Sequence, residues 1–318
     1  MNIGIIGTGN IANTGHAPAI KALKNLDLVS VLSRDIESAK KFAESHSFSL
    51  KLYDKSEDFV SDQDLQLVII TSPDGLHYEQ AKACLQAGKH VLLEKPMTLE
   101  VVESEELIKL AEQNDLVIAI GFHLHHHNGH RKIKSLIESG AIGEVRHIRA
   151  IWAWPAGDDS NWRAHTELTK WWSLSGVGSH CIDIARWYAN DLDDFTKLEA
   201  VLTHSVYQGP HDETALVSAQ LTSGVTVDIT SSVLFGTPNK LEIYGTKGTI
   251  TTKDTMGRDG AGDILLNDES IDFKAISPFI NQIENVVNAI SNKEPLYAPA
   301  SLGLRSTKDL NQILRCSQ

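Results

Sequence analysis

Cysteine is scarce in this chain: Cys84, Cys181 and Cys316 are three among 318 residues. An odd number without metal-ligand spacing excludes a disulfide framework and a cysteine metal site. Cys84 and Cys181 lie in helical, apolar patterns, so a reducing cytoplasm is the expected compartment. Long apolar runs are also missing. No stretch approaches the roughly 20 residues of a membrane span, and Met1-Asn2 leads straight into a strand, so neither membrane attachment nor export is expected. Positive charge is in deficit, with 29 basic against 41 acidic residues, a net charge of -12 and a pI near 5.6. That balance argues against nucleic acid or an anionic membrane as partner. What remains is an ordinary globular composition, 42% hydrophobic and 22% charged, without internal repeats. The length suggests two domains.

The N-terminus carries the first chemistry. Ile3-Gly4-Ile5-Ile6 reads as a short apolar strand followed by Gly7-Thr8-Gly9-Asn10-Ile11-Ala12, a G-x-G-x-x-A turn that opens onto a helix. Gly7 permits the tight turn, Gly9 lets a pyrophosphate approach the backbone, and Ala12 lets the helix sit close to the strand. Free amides at the helix start then face the phosphates. The next strand, Leu28 to Leu32, ends at Ser33-Arg34, where an acidic side chain would hold the ribose hydroxyls of NAD. A hydroxyl and a guanidinium accept a 2′-phosphate instead, so NADP is favoured over NAD. Pairing of Arg34 with Asp35 or Glu37 on the surface is the alternative.

Strands and helices continue to alternate through Leu67 to Ile70, a helix from about Leu76 to Ala87 that Gly88 ends, and Val117 to Ile120. A doubly wound parallel sheet follows. Thr71-Ser72-Pro73-Asp74 closes the fourth strand and is expected to cap the next helix. Ser72, Pro73 and His77 are candidate walls for the nicotinamide half of the cofactor, although His77 could equally be an ordinary first-turn residue. His90-Val91-Leu92-Leu93-Glu94-Lys95-Pro96 sets a buried strand beneath a charged pair and a proline. Pro96 stops the strand and leaves Lys95 at its carboxyl tip, where ligands bind in open α/β sheets. A lysine there can exchange a proton or place a positive charge beside a substrate oxygen. Thr98 is expected to cap the following helix, through about Gln113. The dinucleotide domain is placed at 1–121 and the second domain at 122–318, with the C-terminal helix free to pack back on the first.

Five of the 14 histidines fall in Gly121 to His130: His123, His125, His126, His127 and His130. No carboxylate lies at ligand spacing within the cluster, so no metal is expected. Trp152, Trp154, Trp162, Trp171 and Trp172 are five of the six tryptophans. Aromatic faces beside a few polar groups suit a sugar ring, and Trp162-Arg163 is the preferred pair; the alternative is that most of these indoles fill the domain interface. Gly178 to Asn190 reads as a helix with His180 and Asp183 on one face. From Lys197 to Phe273 the chain is strand-rich and predicts a mainly antiparallel sheet with one face uncovered by helices, suited to meeting another subunit.

Gly7-Thr8-Gly9-Asn10-Ile11-Ala12, Ala87-Gly88-Lys89-His90-Val91-Leu92-Leu93-Glu94-Lys95-Pro96 and Gly178-Ser179-His180-Cys181-Ile182-Asp183 together resemble the glucose-fructose oxidoreductase / inositol dehydrogenase / rhizopine catabolism protein (Gfo/Idh/MocA) family over nearly the whole chain. The resemblance implies a Rossmann domain joined to an α/β domain with a large open sheet. It also implies assembly as a homodimer or homotetramer through that sheet, and a carbohydrate-like substrate, sugar or polyol. It makes Lys95 and His180 the catalytic pair, with His123, His125 and Asp183 beside Trp162 and Arg163 as substrate contacts. The candidate cofactor contacts are Gly7, Thr8, Gly9, Asn10, Ile11, Ser33, Arg34, Ser72, Pro73, His77, Glu94 and Lys95. His127 and His130 are expected to cap or pack. The family often places an aspartate four residues before the histidine, where this chain has Gly176. Hydride transfer between NAD(P) and a secondary alcohol or hemiacetal carbon is the expected reaction. NAD-dependent glycoside hydrolysis, or a non-catalytic dinucleotide sensor, are the alternatives within the family.

Overall fold

The structure, a computed structural model, describes residues 1–165 and 167–317. The chain forms two compact units: Met1–His123 with Ser277–Leu304, and Leu124–Ile276 with the chain from Arg305 onward.

The first unit begins with β1 (Asn2–Ile6), a π-helical turn (Ala12–His16) and α1 (Ala17–Ala22). It continues through β2 (Asp27–Leu32), α2 (Ile36–His46), β3 (Lys51–Tyr53), α3 (Ser56–Val60), β4 (Leu67–Ile70), α4 (His77–Gln86), β5 (His90–Leu93), α5 (Val101–Gln113) and β6 (Ile118–Ile120). The strands run parallel in the order β3-β2-β1-β4-β5-β6. Unbroken apolar runs such as Leu67–Ile70 and Val91–Leu93 are buried because helices cover both faces. Ile5, Ile69 and Leu92 pack with Ile20 and Phe42, whereas Ile6, Ile70 and Leu93 pack with Leu85 and Leu107. Each such side chain contributes about 1.5–3 kcal/mol. The order reverses between β1 and β4, so the loops after these strands diverge and open a crevice at their carboxyl ends.

Two expected caps are used differently. The Thr98 hydroxyl donates to Glu100 O at 2.7 Å and meets Ser104 Oγ at 2.6 Å, and α5 starts three residues later behind a Glu100–Glu103 capping box. The Thr71 hydroxyl turns back onto the carbonyls of Ile6 and Gly7, and a 3₁₀ turn (Asp74–Leu76) leads into α4 without a side-chain cap.

The second unit contains α6 (Asn128–Glu138), β7 (Val145–Ala153), α7 (Trp162–His165) and α8 (Ser179–Ala189), the last entered through a π-helical turn at Leu174–Gly178. Then follow β8 (Lys197–Thr203), β9 (Thr214–Gln220), β10 (Thr226–Ser232), β11 (Lys240–Gly245), β12 (Thr249–Lys253), β13 (Asp263–Leu266) and β14 (Glu269–Ser270). They form one sheet in the order β14-β13-β12-β11-β7-β10-β9-β8, antiparallel except where β7 meets β10. α8 lies on β7 and β10. Of the closing helices, α9 (Pro278–Asn292) returns to the first unit through Phe279, Ile283 and Val286, and α10 (Ala300–Cys316) ends the fold. Among the described residues no helix is long and apolar enough to cross a membrane.

α8 is held at both ends by buried carboxylates. Asp212 accepts the amides of Trp172 and Leu174, each at 2.8 Å, and the Ser173 hydroxyl at 2.6 Å, which fixes the entry to the π turn. Burial pushes this carboxyl above its ordinary range in spite of those donors. Farther along, the Arg186 guanidinium grips Asp309 of α10 in a two-pronged pair at 2.6 and 2.8 Å while lying over the Phe195 ring, and Arg305 reaches the same carboxylate at 2.9 Å. Removing the shared anion would leave Arg305 only Asp194, at 2.7 Å, and Arg186 only the more distant Asp191, at 3.8 Å, as carboxylate partners. Asp309→Asn should therefore cost about 3–5 kcal/mol, read as a lower urea midpoint at unchanged slope. An unaltered midpoint would show that the network does not anchor α8.

Candidate active site

The glycine turn shows which of its residues serve the fold and which face outward. Gly7 has φ +93°, and a Cβ there would lie 2.9 Å from Ser72 N and the Thr71 carbonyl carbon, so the tip of β1 passes directly against the tip of β4. A Cβ on Gly9 would meet nothing within 4 Å. The loop is fixed from behind: Asn13 Nδ2 donates to Thr8 O at 2.8 Å and Gly9 O at 2.9 Å, and Asn13 Oδ1 meets His46 Nε2 at 3.0 Å. Gly9 and Asn10 are exposed while Ala12 is buried against the sheet. A held backbone with open space in front of it fits a dinucleotide pyrophosphate.

At the end of β2, Ser33 Oγ is 3.0 Å from Thr8 Oγ1, which ties the two strand tips together. Arg34 is exposed and reaches Asp35 at 3.2 Å, and Asp35 caps α2. The Ser38 amide and hydroxyl hold the Asp35 carboxyl below its usual range. So exposed an ion pair is weak, and the guanidinium is free to exchange it for a phosphate. Ser72 Oγ donates to Gln80 Oε1 at 2.5 Å, and Pro73 follows at the start of the 3₁₀ turn. His77 is fully buried between two carbonyls, with Nδ1 2.8 Å from Pro96 O and Nε2 3.0 Å from Ser72 O. Its ring is thus a strut between the turns after β4 and β5.

Glu94 and Lys95 stand at the tip of β5, 7% and 8% exposed, and the Lys95-Pro96 bond is cis. Glu94 Oε1 is 2.9 Å from Nε2 of the buried His16, in the turn after the glycine loop. Its other oxygen accepts the Lys95 amide at 3.3 Å. Burial raises the Glu94 carboxyl, but the His16 hydrogen bond and the charges of Lys95 and His123 outweigh it and leave the group below its ordinary range. His123 stacks on Phe279 at 5.3 Å. His16 carried no functional assignment from the sequence. A signal existed, because Ala12, Gly15, His16, Ala19 and Ile20 form one buried helical stripe in which His16 is the sole titratable residue.

In the second unit, His180 of α8 is 4% exposed, and its ring lies 5.5 Å from that of Trp152 on β7. Just past the end of β7, the Trp154 indole covers Gly176, where a Cβ would meet the ring at 2.8 Å. Asp183 shares a helix face with His180, and its carboxylate is bound at 2.8 Å by His125 Nε2 from far upstream. The His125 ring also packs 4.4 Å from Trp187. His127 accepts the amides of Gly129 and His130 and so caps α6, and His130 meets the Tyr188 hydroxyl at 2.6 Å. Among the described residues no group of three potential ligands is arranged to hold a metal. Arg163 lies 4.2 Å over the ring of Trp162, whereas Trp171 and Trp172 are buried.

These features define a Rossmann-type oxidoreductase. Residues 1–122 match the oxidoreductase family with an NAD-binding Rossmann fold, and residues 130–251 match the GFO/IDH/MocA C-terminal domain. An uncharacterized oxidoreductase of Synechocystis sp. is 30% identical over 282 residues, 83% of this chain and 74% of that protein. The NADP(+) scyllo-inositol 2-dehydrogenase IolW of Bacillus subtilis is 30% identical over 185 residues, 58% of this chain and 50% of its own. The aldose-aldose oxidoreductase of Caulobacter crescentus, solved with glycerol, shares the fold with a TM-score of 0.90 at 20% identity, covering 100% of this chain and 97% of that one. The chain belongs to the Gfo/Idh/MocA oxidoreductase family.

Because Gly9 faces open space, Gly9→Ala should fold with an unchanged melting temperature yet lose tenfold or more in dinucleotide affinity, measured by fluorescence titration. Equal affinity in the two proteins would remove the loop from cofactor binding.

Proposed function

We propose that this chain is an NADP-preferring dehydrogenase or reductase that acts on a secondary alcohol or hemiacetal carbon of a sugar or polyol. The observation that carries the reading is the buried Lys95 at the tip of β5, in the same unit as a glycine loop whose open side suits a pyrophosphate. Gly7, Thr8, Gly9, Asn10 and Ile11 would hold the pyrophosphate, Ser33 and Arg34 the 2′-phosphate, and Ser72, Pro73 and Glu94 the nicotinamide half, with His77 behind them. A bound nicotinamide supplies the hydride acceptor or donor. Lys95 takes the hydroxyl proton as the alcohol is oxidised and returns it to the carbonyl oxygen in reduction, and His180 shares that proton. Trp162 and Arg163 offer an aromatic face and a hydrogen-bonding group to the sugar, with His123, His125 and Asp183 as further polar contacts. The NADP specificity of the B. subtilis relative supports the cofactor preference.

The uncovered face of the second sheet is the surface proposed for homodimer or homotetramer formation. It carries the register partners Val201 and Leu216, 55% and 46% exposed. A cytoplasmic setting accords with the three free thiols, Cys84 and Cys181 being buried.

A panel of aldoses, polyols and anhydrosugars assayed at 340 nm with both cofactors tests the activity. On the best substrate Lys95→Ala should lose on the order of a hundredfold in kcat while still binding cofactor; unchanged turnover would remove Lys95 from the chemistry. Arg34→Ala should weaken NADP about tenfold and leave NAD almost unaffected, and tighter NAD binding by the unaltered protein would overturn the preference.

A further inference from the structure

The first unit buries a carboxylate and an imidazole in direct contact, and neither carries the proton in the proposed reaction. His16 and Glu94 are 78 residues apart in sequence, yet Nε2 and Oε1 meet at 2.9 Å with the ring fully buried and the carboxylate nearly so. The surroundings are shaped around this pair. Gly121, just past β6, leaves room for the carboxylate: a Cβ there would lie 2.7 Å from its carbon and from Oε2. Gly15 admits Phe279, whose ring would stand 2.9 Å from an added Cβ. Phe279 then meets His16 edge-on at 5.1 Å and stacks on His123. Among the described residues His16 Nδ1 has no hydrogen-bond partner, so the imidazole proton belongs on Nε2, aimed at Glu94.

We propose that His16 and Glu94 are a positioning pair for Lys95, tying the helix behind the glycine loop to the Glu-Lys-Pro turn and setting a fixed negative charge beside the lysine ammonium. The tie is direct, because Glu94 Oε2 accepts the backbone N–H of Lys95 while Oε1 is held by His16. The titratable groups that face the carboxylate are His16 from the π turn, Lys95 from its own turn and His123 from beyond β6. A carboxylate beside a lysine favours the ammonium over the amine, the form that donates a proton when a carbonyl is reduced, and here it links that balance to the element that carries the cofactor loop. His16 Nε2–H keeps the carboxylate ionised against the cost of burial.

The inference rests on the proposed role of Lys95, so its test includes a measurement that needs no turnover. Trace acetylation of the full-length protein with deuterated acetic anhydride across pH 6–11, read by peptide mass spectrometry, reports the titration midpoint of Lys95. Glu94→Gln should lower that midpoint by about one pH unit. Gly121→Ala, which displaces the carboxylate without removing it, should move it the same way. With a substrate in hand, His16→Leu should reduce kcat about tenfold with little change in KM and shift the acid limb of kcat/KM to higher pH. His16→Gln, which retains an N–H donor, should recover most of both. An unmoved Lys95 midpoint in both Glu94→Gln and Gly121→Ala, or identical behaviour of His16→Leu and His16→Gln, overturns the pair. A shifted midpoint with no turnover on any sugar or polyol sustains the pair and rejects the proposed reaction instead.

Discussion

The tip of β1 must pass the tip of β4 at backbone contact distance, and the arrangement of the first unit depends on that approach. It is possible because Gly7 has no side chain and adopts a positive φ. The Thr71 hydroxyl closes the contact on the carbonyls of Ile6 and Gly7. Once these tips are locked, the chain after β1 leaves as the glycine turn and the chain after β4 leaves through Ser72 and Pro73. His77 then carries the constraint onward to the turn after β5. The polar groups at three strand ends are therefore braced by backbone carbonyls and buried side chains, leaving little slack in the geometry that a bound dinucleotide would meet.

The second unit achieves rigidity with buried charge. Its histidine-bearing helix starts under Asp212, which gathers two amides and a hydroxyl, and is clamped farther along through Arg186. Neither device adds much net stability relative to a well-packed apolar core, since desolvation offsets most of the attraction. Both are directional, however, and they fix the rotation of α8 about its axis. Rotation decides which way the imidazole of His180 points. Packing of Trp152 beside that ring adds a flat apolar wall.

The parallel sheet was legible because its inner strands are short apolar runs set between helical patterns, and the Glu-Lys-Pro turn because a proline cannot donate to the ladder of a buried inner strand. The large second sheet was legible in its longer strands. β13 and β14 were not, being only 4 and 2 residues long and set among glycines and aspartates. Hydrogen-bond partners were the main gap. Spacing on α8 set Asp183 beside His180, but the carboxylate found His125, 58 residues earlier in the chain. Glu94, after β5, likewise found His16, in the turn after β1, with β4 between the two strands. Periodicity tells which face of an element a residue occupies; the group it meets across a tertiary contact depends on packing that one strand or helix does not encode.

Trp154 and Gly176 are mutually dependent. The tip of the indole stands 2.8 Å from where a Cβ at position 176 would come, so an acid there requires the tryptophan to move or to be replaced. Shrinking the indole while position 176 stays glycine would instead leave a void beside the helix. The two positions are therefore energetically coupled, and the cost of a change at one depends on which residue stands at the other.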